Sequence, residues 1–195
     1  MHRKLVIGAI SGNQHFIRPP SKHHSMCWYG AHKYLNDYIA EKKCRRIMEI
    51  GVYNAENAEN MIKTAAKNYP PNEIEYYGFD FFSHYNTDGI AENLDKLGCK
   101  YKLFKGNTMN TVPDAAETLP LMDIVFIDGG KSYREAWSDW LGSSRLMHMD
   151  TGVFVHNVDF SDVERMVNNI PQDRYNVNTF YAPAEGRVAL ITRKM

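Results

Sequence analysis

From Arg46 onward, short apolar runs of strand character alternate with stretches of helical periodicity, and this alternation constrains the fold more than any other feature of the chain. The run "RIMEIG" (46–51) is followed by Ala58, Met61, Ile62, Ala65 and Ala66 at helical spacing, then by "IEYYGFD" (74–80). A polar helix is expected near 88–97, a strand over "KYKLFKG" (100–106), a short helix near 112–119 and a strand over "MDIVFID" (122–128). Repeated β-α order implies a parallel sheet covered by helices on both faces, with ligands in the crevice beyond the carboxyl ends of the strands. After "TGVFVHN" (151–157) and the helix "FSDVERMVNNI" (160–170), the runs "YNVNTFYA" (175–182) and "RVALITRK" (187–194) are separated only by "PAEG". Two strands joined by so short a turn read as an antiparallel hairpin at the sheet edge.

Several function classes are disfavoured on composition. The 23 basic and 23 acidic residues cancel, so the chain lacks the positive field that nucleic acid or an anionic membrane rewards, and a small-molecule partner is expected. No stretch approaches the roughly 18 apolar residues that span a bilayer. Cys27, Cys44 and Cys99 are scattered without CxxC spacing, which fits neither a disulfide framework nor a zinc knuckle and makes a reducing cytoplasm the expected location. The early run "LVIGAI" is too short for a secretory signal.

The prolines of "RPPSKHH" (18–24), "YPPNE" (69–73) and "YAPAEG" (181–186) mark loops. They suggest an N-terminal accessory segment, 1–44, ahead of one compact domain, 45–195. Trp28, Ala31, Leu35, Tyr38 and Ile39 follow helical spacing in that segment, and their aromatic face leaves room for a homo-oligomer. Lys42, Lys43, Arg45 and Arg46 read as a solvated helix end. His23 and His24 fall in a loop, and Trp28, Tyr29, Trp137 and Trp140 read as core or interface residues.

Polar groups gather where the strands stop. Glu49 and Gly51 end the first strand, without the GxGxxG of a dinucleotide turn and with Ala55 at the later small position. Asp80 ends the second, where a carboxylate can accept hydrogen bonds from both ribose hydroxyls, and Phe81 beside it can lie against a purine. Gly106, Asn107 and Thr108 end the third and suit either a purine edge or a turn. Asp128 ends the fourth, three residues before Lys131, and His156, Asn157 and Asp159 end the fifth. Read from the residues alone, "GGKSY" serves equally as the start of a helix with a solvated lysine or as part of a reacting site. His156 serves equally as a satisfied buried histidine or as a catalytic group.

The ordered set "MEIGVY", "YGFDFF", "FKGNT", "VFIDGGKSY" and "GVFVHNV" resembles the class I S-adenosylmethionine-dependent methyltransferases over residues 45–195. Within that class it resembles the small-molecule O-methyltransferases of the catechol/caffeoyl-CoA type and the related IDG.HSY cluster. The resemblance implies an α/β Rossmann-like methyltransferase fold: a mostly parallel seven-stranded sheet with a C-terminal antiparallel hairpin and helices on both faces. It implies that Glu49, Gly51 and Tyr53 line the methionine part of the cofactor, that Asp80 holds the ribose and that Thr108 lies near adenine, with Phe81 and Asn107 adjoining. Asp128 and Lys131 match the family's metal-binding aspartate and its proton-abstracting lysine, and His156-Asn157 stands where a further ligand pair follows. The catalytic set is thus Asp128, Lys131 and His156, with Asp128 also touching the cofactor. The metal set is Asp128, His156 and Asn157, for a divalent cation softer than Mg²⁺ or for none.

The expected function is O-methylation of a hydroxyl on a small-molecule acceptor by S-adenosyl-L-methionine. Ala55, Glu56 and the His156-Asn157 pair keep open a catalytically inactive binding protein on the same fold. A nicotinamide-dependent oxidoreductase is a weaker alternative, disfavoured by the missing GxGxxG and by the hairpin.

Overall fold

The computed structural model describes residues 32–182 and 185–195. Its seven strands are β1 (Arg46–Ile50), β2 (Glu75–Asp80), β3 (Lys100–Lys105), β4 (Met122–Ile127), β5 (Met147–Val155), β6 (Tyr175–Ala182) and β7 (Gly186–Arg193). Six helices accompany them: α1 (Lys33–Lys42), α2 (Glu56–Ala65), α3 (Thr87–Asp95), α4 (Thr108–Ala115), α5 (Tyr133–Arg145) and α6 (Ser161–Asn168). The strand order is β3-β2-β1-β4-β5-β7-β6, with β1 to β5 parallel and β7 antiparallel to both β5 and β6. The expected α/β class, parallel sheet and terminal hairpin are therefore all present.

The central strands are mostly apolar because both sheet faces are covered. Alternate side chains divide between two cores. Met48, Ile50, Val125, Ile127, Val153 and Val155 pack with Trp140 of α5 and with Val163 and Met166 of α6. Ile47, Ile124, Phe126 and Phe154 face the other way, onto Leu35 and Ile39 of α1 and Ala58, Met61 and Ile62 of α2. Trp140 is buried and Trp137 packs against the first core, so both serve as core residues. Trp28, Tyr29, His23 and His24 lie outside the described residues, as does all of the N-terminal segment before residue 32.

One local feature differs from expectation, and a second adds to one. Helix α4 starts at Thr108 and not near 112, because the Asn107 side chain accepts a hydrogen bond from Met109 N and caps it. The basic cluster after α1 contributes through its backbone: Asp123 Oδ2 accepts from Arg45 N at 2.8 Å and from Arg46 N at 2.9 Å, fixing the start of β1 to β4. Among the described residues no helix is long and apolar enough to cross a membrane. Cys44 and Cys99 are free thiols.

The chain runs β1 to β2 to β3 toward one edge, then returns to place β4 on the other side of β1. The loops after β1 and β4 therefore diverge at this junction, the place where such sheets open a crevice.

Candidate active site

Gly51 and Asp128 close the β1–β4 junction. Gly51 N donates to Phe79 O at 2.8 Å and Asp128 N donates to Ile50 O at 2.8 Å, extending the ladder past the strand ends. Gly51 has φ +90°, and a Cβ there would lie 2.4 Å from the Asp128 carbonyl oxygen. Only glycine satisfies both the backbone angle and the contact.

The loop after β1 is held by Asp80. Its Oδ2 accepts from Val52 N at 2.8 Å and from Tyr53 N at 3.0 Å, and its Oδ1 accepts from Phe82 N at 2.8 Å. A carboxylate offers about four lone-pair directions. Three are thus in use, and Oδ1 retains one for a ligand hydroxyl; binding both ribose hydroxyls requires the loop amides to share. The loop is strained, since Tyr53 has φ 51° and Ala55 φ 66°. Tyr53 stands half exposed and edge-on to Tyr85 at 4.9 Å, and Phe81 stands exposed beside Asp80.

We expect Asp80→Ala to orphan these three amides, each charge-assisted bond being worth roughly 1.5–3 kcal/mol. If this crevice takes S-adenosylmethionine, as the sequence resemblance implies, affinity for S-adenosylhomocysteine, measured by calorimetry on a variant shown to be folded by circular dichroism, should fall by about 10²-fold or more. Unchanged affinity would remove Asp80 from the site.

Glu49 is not on the crevice surface. Strand alternation turns it toward α2, where it is 1% exposed; Asn57 Nδ2 donates to its Oε1 at 2.8 Å and Tyr76 Oη to its Oε2 at 2.5 Å. Burial pushes its carboxyl up to about 8 from 4.5, although both hydrogen bonds favour the charged form. The folded chain thus keeps a proton that the unfolded chain releases. Stability from this group is complete below the unfolded value of 4.5 and is lost as pH rises through about 8. The loss amounts to at most about 1.4 kcal/mol per pH unit. Thermal melts at pH 5.5 and 8.5 should show a steeper fall for the wild type than for Glu49→Gln; parallel falls would contradict the assignment.

Beyond β3, Asn107 serves as the α4 cap, and Thr108 sits almost buried at the first helical position. Under it lies Asp139 of α5, fully buried, with Oδ2 2.8 Å from where a Cβ on Gly129 would stand. Burial raises the Asp139 carboxyl to about 7, with the Thr108 hydroxyl opposing. The sequence reading passed over Asp139, whose only signal was an acid on the apolar face of α5.

Asp128 is the centre of the remaining groups. Lys131 Nζ and Asn157 Nδ2 both bond its Oδ1, the latter at 2.7 Å, and His156 Nδ1 lies 3.1 Å from its Oδ2. Burial alone would raise the Asp128 carboxyl. The His156 hydrogen bond and the Lys131 and His156 charges outweigh it and hold the carboxyl below its ordinary value. Burial likewise opposes charge on His156, but Asp128 and the Glu185 backbone oxygen raise its pKa above 6.5. The "GGKSY" segment is also a helix start: Ser132 caps α5 in a reciprocal capping box with Glu135. Asn157 takes φ 59°, which asparagine tolerates better than most residues.

The structure thus brings Gly51, Tyr53, Asp80, Asp128, Lys131, His156 and Asn157 to one rim, with Thr108 beside it and Glu49 beneath. As arranged, Asp128, His156 and Asn157 form a closed network. The carboxylate oxygens face a lysine, an amide and an imidazole, and the Asn157 amide presents its NH₂. This does not fit a hard cation, which requires converging oxygens.

Two further side chains adjoin the rim. His32, just before α1, has Nδ1 2.7 Å from Glu185 Oε2, and its ring stands edge-on to His156 with centroids 4.9 Å apart. His156 Nε2 lies 3.0 Å from Glu185 O. Sequence reading missed both, since a contact spanning 153 positions leaves no periodic trace.

The strand order and terminal hairpin are shared with solved structures of O-methyltransferases, some of them bound to S-adenosylmethionine or S-adenosylhomocysteine. No protein-family model matches the chain, and no curated protein matches it in sequence. Solved structures match it in fold. The O-methyltransferase from Bacillus cereus in complex with S-adenosylhomocysteine is 14% identical, with TM-score 0.70 over 83% of this chain and 80% of that one. TomG from Streptomyces achromogenes, an O-methyltransferase of tomaymycin synthesis bound to S-adenosylmethionine, is 16% identical, with TM-score 0.67 over 84% and 79%. CalS11, a TDP-rhamnose 3'-O-methyltransferase of calicheamicin biosynthesis, is 16% identical, with TM-score 0.66 over 81% and 76%. At these identities the likeness is one of fold.

Proposed function

We propose that the chain is an S-adenosylmethionine-dependent methyltransferase that methylates a hydroxyl of a small molecule. The observation that carries the reading is the convergence, at the β1–β4 junction, of the Gly51 turn, Asp80 and the Asp128–Lys131–His156 network. In this reading the Gly51–Tyr53 backbone and Thr108 border the cofactor, Asp80 accepts from its ribose, and Phe81 lies along its adenine. Asp128 fixes Lys131 and His156 at the reacting end.

Methyl transfer from a sulfonium forms a C–O bond as the S–C bond breaks, leaving a neutral thioether and a proton to be removed from the acceptor oxygen. Alignment supplies most of the acceleration, roughly 7–11 kcal/mol in well-oriented systems. Lys131, paired to Asp128, offers donors to the acceptor oxygen, and the hydroxyl proton passes into the network on the His156 side. The site's own charges suit this sequence, because the ammonium and imidazole stabilise an oxyanion as it develops.

Incubation with methyl-labelled S-adenosylmethionine and a panel of hydroxylated small molecules tests the proposal. Label in an O-methyl product with matching release of S-adenosylhomocysteine is the expected result. Cofactor binding without transfer to any acceptor would favour the inactive binding protein, the reading that Ala55 and the His156-Asn157 pair motivate.

A further inference from the structure

We infer that His32, His156 and Glu185 form a site for one borderline divalent cation of the Zn²⁺ kind. One ligand atom from each residue lies within 4.8 Å of the other two. Two imidazoles and one carboxylate are a donor set that suits Zn²⁺, and three protein ligands with an open position make a reactive site rather than a closed structural one. Ligand atoms on one such ion, at bonds of about 2.0–2.2 Å, stand roughly 3.3 Å apart. The gap to be closed is thus about 1.5 Å at most, shared among three side chains.

What separates this cluster from a chance gathering is that two of its members are already oriented from behind. His156 Nδ1 faces Asp128 Oδ2 at 3.1 Å, which leaves Nε2 on the cluster side, as in carboxylate–histidine–zinc arrangements. Glu185 Oε1 accepts from Lys33 N at 3.2 Å, leaving Oε2, which now contacts His32 Nδ1, for the cation. His32 is buried and wedged at 4.6 Å from the Phe126 ring, so its direction is fixed by packing. A bound cation replaces two contacts, His32 Nδ1 to Glu185 Oε2 and His156 Nε2 to Glu185 O.

The site also joins three distant parts of the chain: the residue before α1, the end of β5 and the turn before β7. It adjoins Asp128, so the inference deepens the methyltransferase reading. A cation there would stabilise an acceptor oxygen losing its proton. Cation binding itself does not depend on that reading.

Calorimetric titration of the metal-stripped full chain with Zn²⁺ tests it, with Mg²⁺ in parallel and S-adenosylhomocysteine titrated separately. One Zn²⁺ per chain should bind. His32→Ala and Glu185→Gln should each weaken binding by about tenfold or more. Mg²⁺ should give far less heat, and His148→Ala, remote from the cluster, should change nothing. Co²⁺ in place of Zn²⁺ should develop visible absorption that Glu185→Gln abolishes. If His32→Ala fails to fold, Glu185→Gln and the Co²⁺ spectrum still decide. Absence of Zn²⁺ binding, or binding that both variants leave intact, overturns the site and leaves the cluster a hydrogen-bonded clasp on α1. S-adenosylhomocysteine binding without Zn²⁺ binding sinks the metal site alone. The reverse pattern sinks the methyltransferase reading alone.

Discussion

Gly51→Ala should destabilise the chain by about 3 kcal/mol or more and abolish cofactor binding. A left-handed backbone angle at a residue carrying a Cβ costs of order 1–3 kcal/mol by itself. Here the added carbon would also stand 2.4 Å from Asp128 O, 2.8 Å from Asp128 C and 3.1 Å from Gly129 N, all backbone atoms that cannot rotate away. Relief requires β1 and β4 to part at their carboxyl ends, at the junction where the crevice opens. For a chain of this size 1 kcal/mol corresponds to roughly 2–4 °C in melting temperature, so a drop of about 6–12 °C is expected. Gly98→Ala is the control. Its φ is also positive, at +70°, but the nearest atom to its Cβ, on Pro71, is 3.5 Å away, so strain acts without the clash. Equal melting temperatures for the two variants would show that the Gly51 contact with Asp128 carries no weight.

Asp128→Asn should reduce methyl transfer by about 10²–10⁴-fold, the range typical for removal of a proton-handling group. S-adenosylhomocysteine affinity should change much less. The amide keeps the shape and one acceptor oxygen but removes the charge on which both Lys131 and His156 are held. Lys131 and His156 then face each other without an anion between them, and the network loses its orientation. Single-turnover rates on an acceptor identified by label transfer, set beside calorimetric affinity, check this. Equal losses in rate and affinity would place Asp128 in cofactor binding rather than at the reacting end.

The fold was largely legible because strands buried on both faces read as near-continuous apolar runs, and because "PAEG" leaves no room for a crossover between the last two strands. Gly51, Asp80 and Asp128 were legible for a related reason. Polar residues that end apolar runs of a parallel sheet must arrive at one rim. The offset in α4 came from Asn107, whose cap was indistinguishable from a turn in sequence. Glu49 was placed on the cofactor side by resemblance. Strand alternation puts it on the α2 side, where Asn57 and Tyr76, partners known only once α2 and β2 are docked, hold it in the core. His32 and Glu185 carried no local signal, since each is unremarkable until the hairpin turn meets the start of α1.

The measurement that bears most directly on the central claim is calorimetric titration of the wild-type chain with S-adenosylhomocysteine, repeated with NADH. A saturable 1:1 heat with the first ligand, none with the second, and loss of the signal in Asp80→Ala is the predicted outcome. A flat titration with S-adenosylhomocysteine on folded protein would contradict the account, and binding of NADH in its place would assign the crevice to a different chemistry.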